Sequence, residues 1–207
     1  MILIYLLIGF LTATISALPL GASNIAVINT TLKQNAQQAF KIAITAGIAE
    51  VILSYYTLHF NKVIKDFFNN NLWVQVLLVV ILFVAGSILL LKKQSSATSK
   101  KRIVTKSKYA TGFLLGMINP PVLIYWVIAY GVINSNDFML SLKSSFSTLF
   151  LFFSGVYLGK LLTLYAYSKV SLVIKSKIQN INKIVNKVTG LLLIFLSFIQ
   201  ALKIYVF

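Results

Sequence analysis

The stretch ALPLGASN, residues 17–24, decides the fold. It interrupts an apolar run that extends from the first residue to about residue 32. As one straight helix that run would be about 48 Å long at about 1.5 Å per residue. The hydrocarbon core of a bilayer is only about 30 Å thick. Pro19 removes a backbone donor and clashes with the preceding turn. Gly21 makes a sharp bend cheap. Ser23 and Asn24 are good caps for a restarting helix. The expectation is two half-helices, about 1–17 and 22–32, with irregular backbone between them.

The same chemistry recurs further on. LLGMINPPVLIYW, residues 114–126, places Pro120 and Pro121 inside an apolar run. A residue before proline is pushed out of the helical region. Asn119 is the polar group placed to satisfy the freed backbone. The run from Tyr109 to Asn134 again exceeds one straight span.

Composition explains why these breaks matter. The 207 residues are 58% hydrophobic and 11% charged, with a mean hydropathy of +0.89. A soluble domain carries about a quarter charged residues, so an integral membrane protein is expected. There are no cysteines, which excludes disulfides, thiolate metal sites and thiol nucleophiles. The first basic residue is Lys33. A cleaved signal peptide, which needs a positive n-region, is therefore not expected.

Six apolar segments are long enough to span: about 1–32 (interrupted), 39–60, 73–91, 109–134, 145–167 and 187–206. Each should be helical, because lipid cannot satisfy an open backbone. The net charge of +16 lies mostly in alternate gaps. Lys33 occupies the first gap. Lys92, Lys93, Lys100, Lys101, Arg102, Lys106 and Lys108 occupy the third. Lys169, Lys175, Lys177, Lys183 and Lys187 lie in or beside the fifth. Positive charge marks the cytoplasmic side. Loops 33–38, 92–108 and 168–186 are thus expected inside and both termini outside. Topology accounts for the charge, and no nucleic-acid partner is expected. Ile174, Ile178, Ile181 and Val185 recur at helical spacing in the fifth gap. They fit either an amphipathic helix on the cytoplasmic leaflet or a solvated connector.

The basic linker 92–108 divides a single membrane domain into repeat one, 1–91, and repeat two, 109–207. Each repeat has three helices, and the first of each is broken. Three is odd, so the repeats insert in opposite orientations. The expected fold class is an all-α integral membrane protein of six transmembrane helices in two inverted repeats. Matching broken helices in inverted repeats point to a transporter with a site near the midplane. Half-helix N-termini suit a substrate carboxylate.

The chain has only three acidic residues. One, Glu50, sits in ITAGIAEVILSYY, residues 44–56, with no charged neighbour within eight residues. Lys160, in SGVYLGKLLTLYAY, lies near the centre of the fifth apolar segment. A charge at the bilayer centre costs about 2.5–3.5 kcal/mol on insertion scales, so neither should face lipid. They fit a structural salt bridge, a zwitterion site with Lys160 on the carboxylate and Glu50 on the amine, or a proton carrier at Glu50. His59 and Lys41 read as interfacial groups. Gly112 with Gly116, Gly155 with Gly159, and Ala43 with Gly47 are small-xxx-small pairs. They suit packing inside the chain, with contact in a homodimer as the lesser alternative. No P-loop, HExxH, GxSxG or dinucleotide fingerprint is present. No enzyme activity, cofactor or metal site is expected.

Five elements in this order resemble the lysine-exporter (LysE/RhtB-type) translocator family over nearly the whole chain. They are LPLGASN, AGIAE, GFLLGMINPP, GVYLGK and VTGLLLIFLSFIQAL. The resemblance implies a bacterial inner-membrane exporter of amino acids or related metabolites driven by proton motive force. It places Pro19 and Gly21 at the first break, Asn119 and Pro120 at the second, and Glu50 at an acidic position. Pro121 stands where the family commonly has lysine, and Lys160 where it has small or neutral residues. The site residues expected are Glu50, Lys160, Asn24 and Asn119, lined by Pro19, Gly21, Pro120 and Pro121. The alternatives are an exporter of ions or metals, and a non-transporting membrane scaffold subunit.

Overall fold

The computed structural model describes residues 2–19, 21–91, 107–135, 140–173 and a set of positions between 187 and 204. Among these every regular element is an α-helix. They are α1 (Leu3–Ala17), α2 (Ala22–Lys33), α3 (Ala36–Asn70), α4 (Leu72–Leu91), α5 (Lys108–Met117), α6 (Pro120–Ser135) and α7 (Phe146–Val173).

Both proline segments break the chain. α1 and α2 meet at 74°, and α5 and α6 meet at 57°. α3, over Ala36–Phe60, and α7 are each long and apolar enough to cross a membrane. Counting each bent pair as one span raises the total to four. α4 is a shorter apolar helix over Leu72–Ile88.

Three boundaries differ from the sequence reading. α3 continues past residue 60 to Asn70, since nothing from 61 to 70 is Gly or Pro. α7 runs to Val173, so the gap expected at 168–186 begins inside a helix. The cap of α2 is Gly21 in extended backbone, with no side-chain bond to the helix start, rather than Ser23 or Asn24. The linker from 92 to 106, most of segment 187–206, and the isoleucine-lysine pattern of 174–186 lie outside the described residues.

The chain forms two compact units. The first takes Met1–Asn61 and Lys101–Ser176, and the second takes Lys62–Lys100 and Lys177–Phe207. In the second, Gly86 and Gly190 pack backbone to backbone: a β-carbon on either would lie 2.7 Å from the other's carbonyl oxygen.

In the first unit, α1 turns its large apolar residues out and its small or polar ones in, and α7 does so over much of its length, while Trp126, Tyr130 and Phe152 are buried. Along α1, Leu3, Leu7, Leu11 and Ile15 are exposed, while Gly9, Ala13, Ser16 and Ala17 are buried. In α7, Phe146, Phe150, Leu158 and Leu162 are exposed, while Gly155, Gly159, Lys160 and Thr163 are buried. Water would penalise such a surface. A bilayer suits it, because helices in lipid associate through close backbone approach and polar contacts.

The glycines show where that approach occurs. A β-carbon on Gly9 would strike the Phe152 carbonyl, one on Gly155 the Leu6 carbonyl, and one on Gly159 the Phe10 carbonyl. α1 and α7 therefore lie backbone against backbone. Gly112 does the same for α5 against the Ile42 carbonyl of α3, and a β-carbon on Gly116 would strike the Ala49 side chain. The packing is reciprocal: the first helix of each sequence half lies on the long helix of the other. α3 and α7 meet where Gly47 admits the Tyr157 ring, whose Cε2 would be 2.9 Å from a β-carbon.

Candidate functional site

The first break is built from polar groups that replace lost helical bonds. The last carbonyls of a helix have no partner within it. Here Ala17 O accepts from Asn24 Nδ2 at 2.6 Å, and Leu18 O accepts from the Tyr167 hydroxyl at 2.7 Å. Pro19 O accepts from Gly21 N at 2.8 Å and from Asn24 Nδ2 at 3.3 Å. Asn24 is buried, and its Oδ1 accepts from Ser23 Oγ at 3.2 Å. Asn24 thus reaches backwards to finish α1 rather than forwards to start α2. Tyr167 has no signal in the sequence, because its partner lies 149 residues away.

The second break is simpler. The Asn119 carbonyl accepts from Val122 N at 3.0 Å and Leu123 N at 3.4 Å, which starts α6. Pro120 occupies the first helical position, where its missing N–H costs nothing. Pro121 is exposed. The two breaks meet: a β-carbon on Gly21 would lie 3.4 Å from Asn119 Nδ2.

Glu50 and Lys160 also meet. Lys160 Nζ is 3.2 Å from Glu50 Oε2, and the side chains are 3% and 1% exposed. Among the described residues these are the only two fully buried charges. The other carboxylate oxygen, Oε1, accepts from Ser16 Oγ at 2.7 Å and from Trp126 Nε1 at 3.1 Å. One carboxylate therefore gathers α1, α6 and α7 onto α3. Hydrogen bonds and an opposite charge offset the desolvation of a buried carboxylate.

Ser16 and Trp126 escaped the sequence reading. A serine in a helix and a tryptophan in an apolar run carry no mark of a distant partner. Both tie the ion pair to a break. Ser16 is in the last turn of α1, and Trp126 lies in α6, which starts at the second break.

The surroundings are aromatic rings and bonded hydroxyls. Trp126 packs on Tyr130 and Phe152, with ring centroids 5.4 and 6.2 Å away. The Tyr130 hydroxyl donates to Ser54 O at 3.0 Å. That of Tyr125 donates to Thr12 O at 2.7 Å. Thr31 and Ser168 hydroxyls bond at 2.8 Å. Thr14 Oγ1, two residues before Ser16, is the one buried side-chain polar atom without a partner among the described residues.

Lys41 and His59 stand apart from this site. Lys41 Nζ lies 5.8 Å from the Tyr109 ring centre. His59 is exposed and edge-on to Phe60 at 4.7 Å. No family model matches the chain, and no curated protein or solved structure matches it either.

Proposed function

We propose that the protein is a secondary transporter that exports amino acids or closely related small metabolites across a bacterial inner membrane, driven by proton motive force. The observation that carries this reading is the Glu50–Lys160 pair, buried where both broken helices send a side chain to it. Intramembrane charges are costly and mark transport paths. Broken helices supply polar backbone where a solute must be held. The meeting of Gly21 with Asn119 puts one break against the other.

Six helices in two inverted three-helix repeats are part of the same reading. Its support is the reciprocal glycine packing, α1 on α7 and α5 on α3. Both termini then lie outside, with the basic loops in the cytoplasm. In this arrangement Glu50 holds the substrate amine, while the backbone N–H groups at the start of α2 receive its carboxylate.

The test is efflux from cells that overexpress the chain and are loaded with amino acids through a dipeptide panel. Wild type should release at least one amino acid, and Glu50→Gln should abolish that release. No efflux of any, with protein confirmed in the membrane, would overturn the reading.

A further inference from the structure

We propose that Trp126 is the positioning residue through which the ion pair keeps one side of the site shut, and that a substrate ammonium taking its place on Glu50 releases that side. The closure stands on the geometry. Its release by substrate rests on the export reading and assigns the regulation of that same site.

The two sides of the pair are unlike. α3 and α7 run antiparallel: Phe40 meets Tyr165 at one end, with ring centroids 6.2 Å apart, and Tyr55 meets Phe153 at the other, at 6.0 Å. Glu50 and Lys160 meet between those points. Toward Phe40 and Tyr165 the buried core is aliphatic, with Ala39, Ala43 and Ala46 in it. Thr31 and Ser168 bring buried hydroxyls to that side. Toward Tyr55 and Phe153 the core is aromatic. Trp126, Tyr130 and Phe152 are each fully buried. Their ring centroids form a triangle of 5.4, 6.2 and 5.9 Å. The Tyr130 hydroxyl fastens it to Ser54 O on α3. Trp126 carries the bond to the ion pair, from Nε1 to Glu50 Oε1.

Trp126 is also the donor that Glu50 can release. A substrate ammonium needs an oxygen of Glu50. Lys160 on Oε2 is charged, and no second buried carboxylate among the described residues could take it over. Ser16 holds Oε1 at 2.7 Å and the Trp126 indole holds it at 3.1 Å. The indole is neutral and its bond is the longer, so its departure leaves no charge unpaired. The charges balance without a proton moving: Lys160 keeps Glu50, and the substrate's carboxylate balances its ammonium. An indole N–H can only donate. Without Glu50 it must turn to another acceptor. The ring cannot turn without parting from Tyr130 and Phe152, and that opens the aromatic side.

The chain has no cysteine and two tryptophans, Trp73 and Trp126, which allows two measurements. Ser54→Cys places a thiol beside the aromatic triangle, and Thr163→Cys places one on the opposite side of the pair; both positions are buried. A cationic methanethiosulfonate is applied to the purified full chain carrying either cysteine, with and without Trp126→Phe, which keeps a ring and removes the N–H. Labelling follows the population of the open form. Loss of a hydrogen bond to a charged group should speed labelling of Ser54→Cys at least about tenfold, with Thr163→Cys unchanged. In Trp73→Phe, a change at an exposed position, Trp126 is the sole indole. L-leucine, L-threonine and L-lysine are each added. The amino acid that wild type transports should move the Trp126 emission to longer wavelength, and Glu50→Gln should abolish the shift. Equal labelling of Ser54→Cys with and without Trp126→Phe, or a rise at both cysteines alike, would overturn the closure. An unshifted emission with a transported amino acid would overturn release by substrate. The emission decides alone if Trp126→Phe does not fold. Failure of wild type to transport any amino acid would take the export reading and the release with it, while the labelling still decides the closure.

Discussion

The Tyr167 hydroxyl donates to the Leu18 carbonyl at 2.7 Å and fastens the end of α1 to α7. Asn24 completes the same junction through Ala17 O and Pro19 O. These bonds have no substitute in lipid, where an unsatisfied carbonyl stays unsatisfied. Asn24→Ala should cost about 1–3 kcal/mol, the penalty for orphaning a buried polar group. Asn24→Asp should cost as much, because a carboxylate has no proton to donate and brings a charge. Tyr167→Phe, at a partly exposed site, should cost about 1 kcal/mol. Thermal melting of the purified protein checks all three. Wild-type melting of Asn24→Asp would show that the donor role is wrong.

The ion pair makes a sharper prediction. Removing one member of a buried pair leaves an uncompensated charge and costs about 3–5 kcal/mol. Glu50→Leu and Lys160→Met should therefore each lower folded yield and melting temperature. The double variant should be at least as stable as either single one, since apolar replacement of both partners is often neutral. On the export reading, transport should be absent from all three variants. A double variant less stable than both singles would mean that Glu50 contributes mainly through Ser16 and Trp126.

How much of this was legible in the sequence depends on the range of the cause. The breaks were legible, because Pro19, Gly21 and Pro120 act on their own backbone. Glu50 and Lys160 were legible as buried charges, because charges in apolar runs should not face lipid, but their direct pairing was one of three readings the sequence left open. Trp126, Ser16 and Tyr167 were not, because their roles depend on contacts across 76, 34 and 149 residues. Asn24 has the sequence marks of a cap for α2, but its side chain bonds back to Ala17 O and Pro19 O at the end of α1. Gly155 and Gly159 were legible as a seam, but Gly9, which completes it, stands alone in α1.

That seam predicts a contrast between glycines. A β-carbon at Gly155 would overlap the Leu6 backbone, which cannot move aside as a side chain can. Gly155→Ala should force α1 and α7 apart at a cost of about 1–3 kcal/mol. Gly131 in α6 has nothing within 4 Å of its β-carbon position. Gly131→Ala should be neutral or stabilising by up to about 1 kcal/mol, from helix propensity alone. Folded yield by size-exclusion chromatography separates the two. Equal yields would mean that α1 and α7 are not in backbone contact.

If the chain exports a solute as proposed, Gly21 offers a way to perturb that transport without unfolding the protein. Its φ is −74° and its backbone extended, so any residue fits the conformation. The added methyl of Gly21→Ala would meet only Asn119 Nδ2, at 3.4 Å, and the amide can yield by a few tenths of an ångström. Melting should stay within about 0.5 kcal/mol of wild type. Transport should still fall, because the methyl occupies the junction where the two breaks face each other. Asn119→Ala in the same chain removes the opposing amide and should recover part of the rate. Efflux of the transported amino acid reads both steps. Wild-type efflux from Gly21→Ala alone would mean that the meeting of the breaks holds the fold together and takes no part in the path.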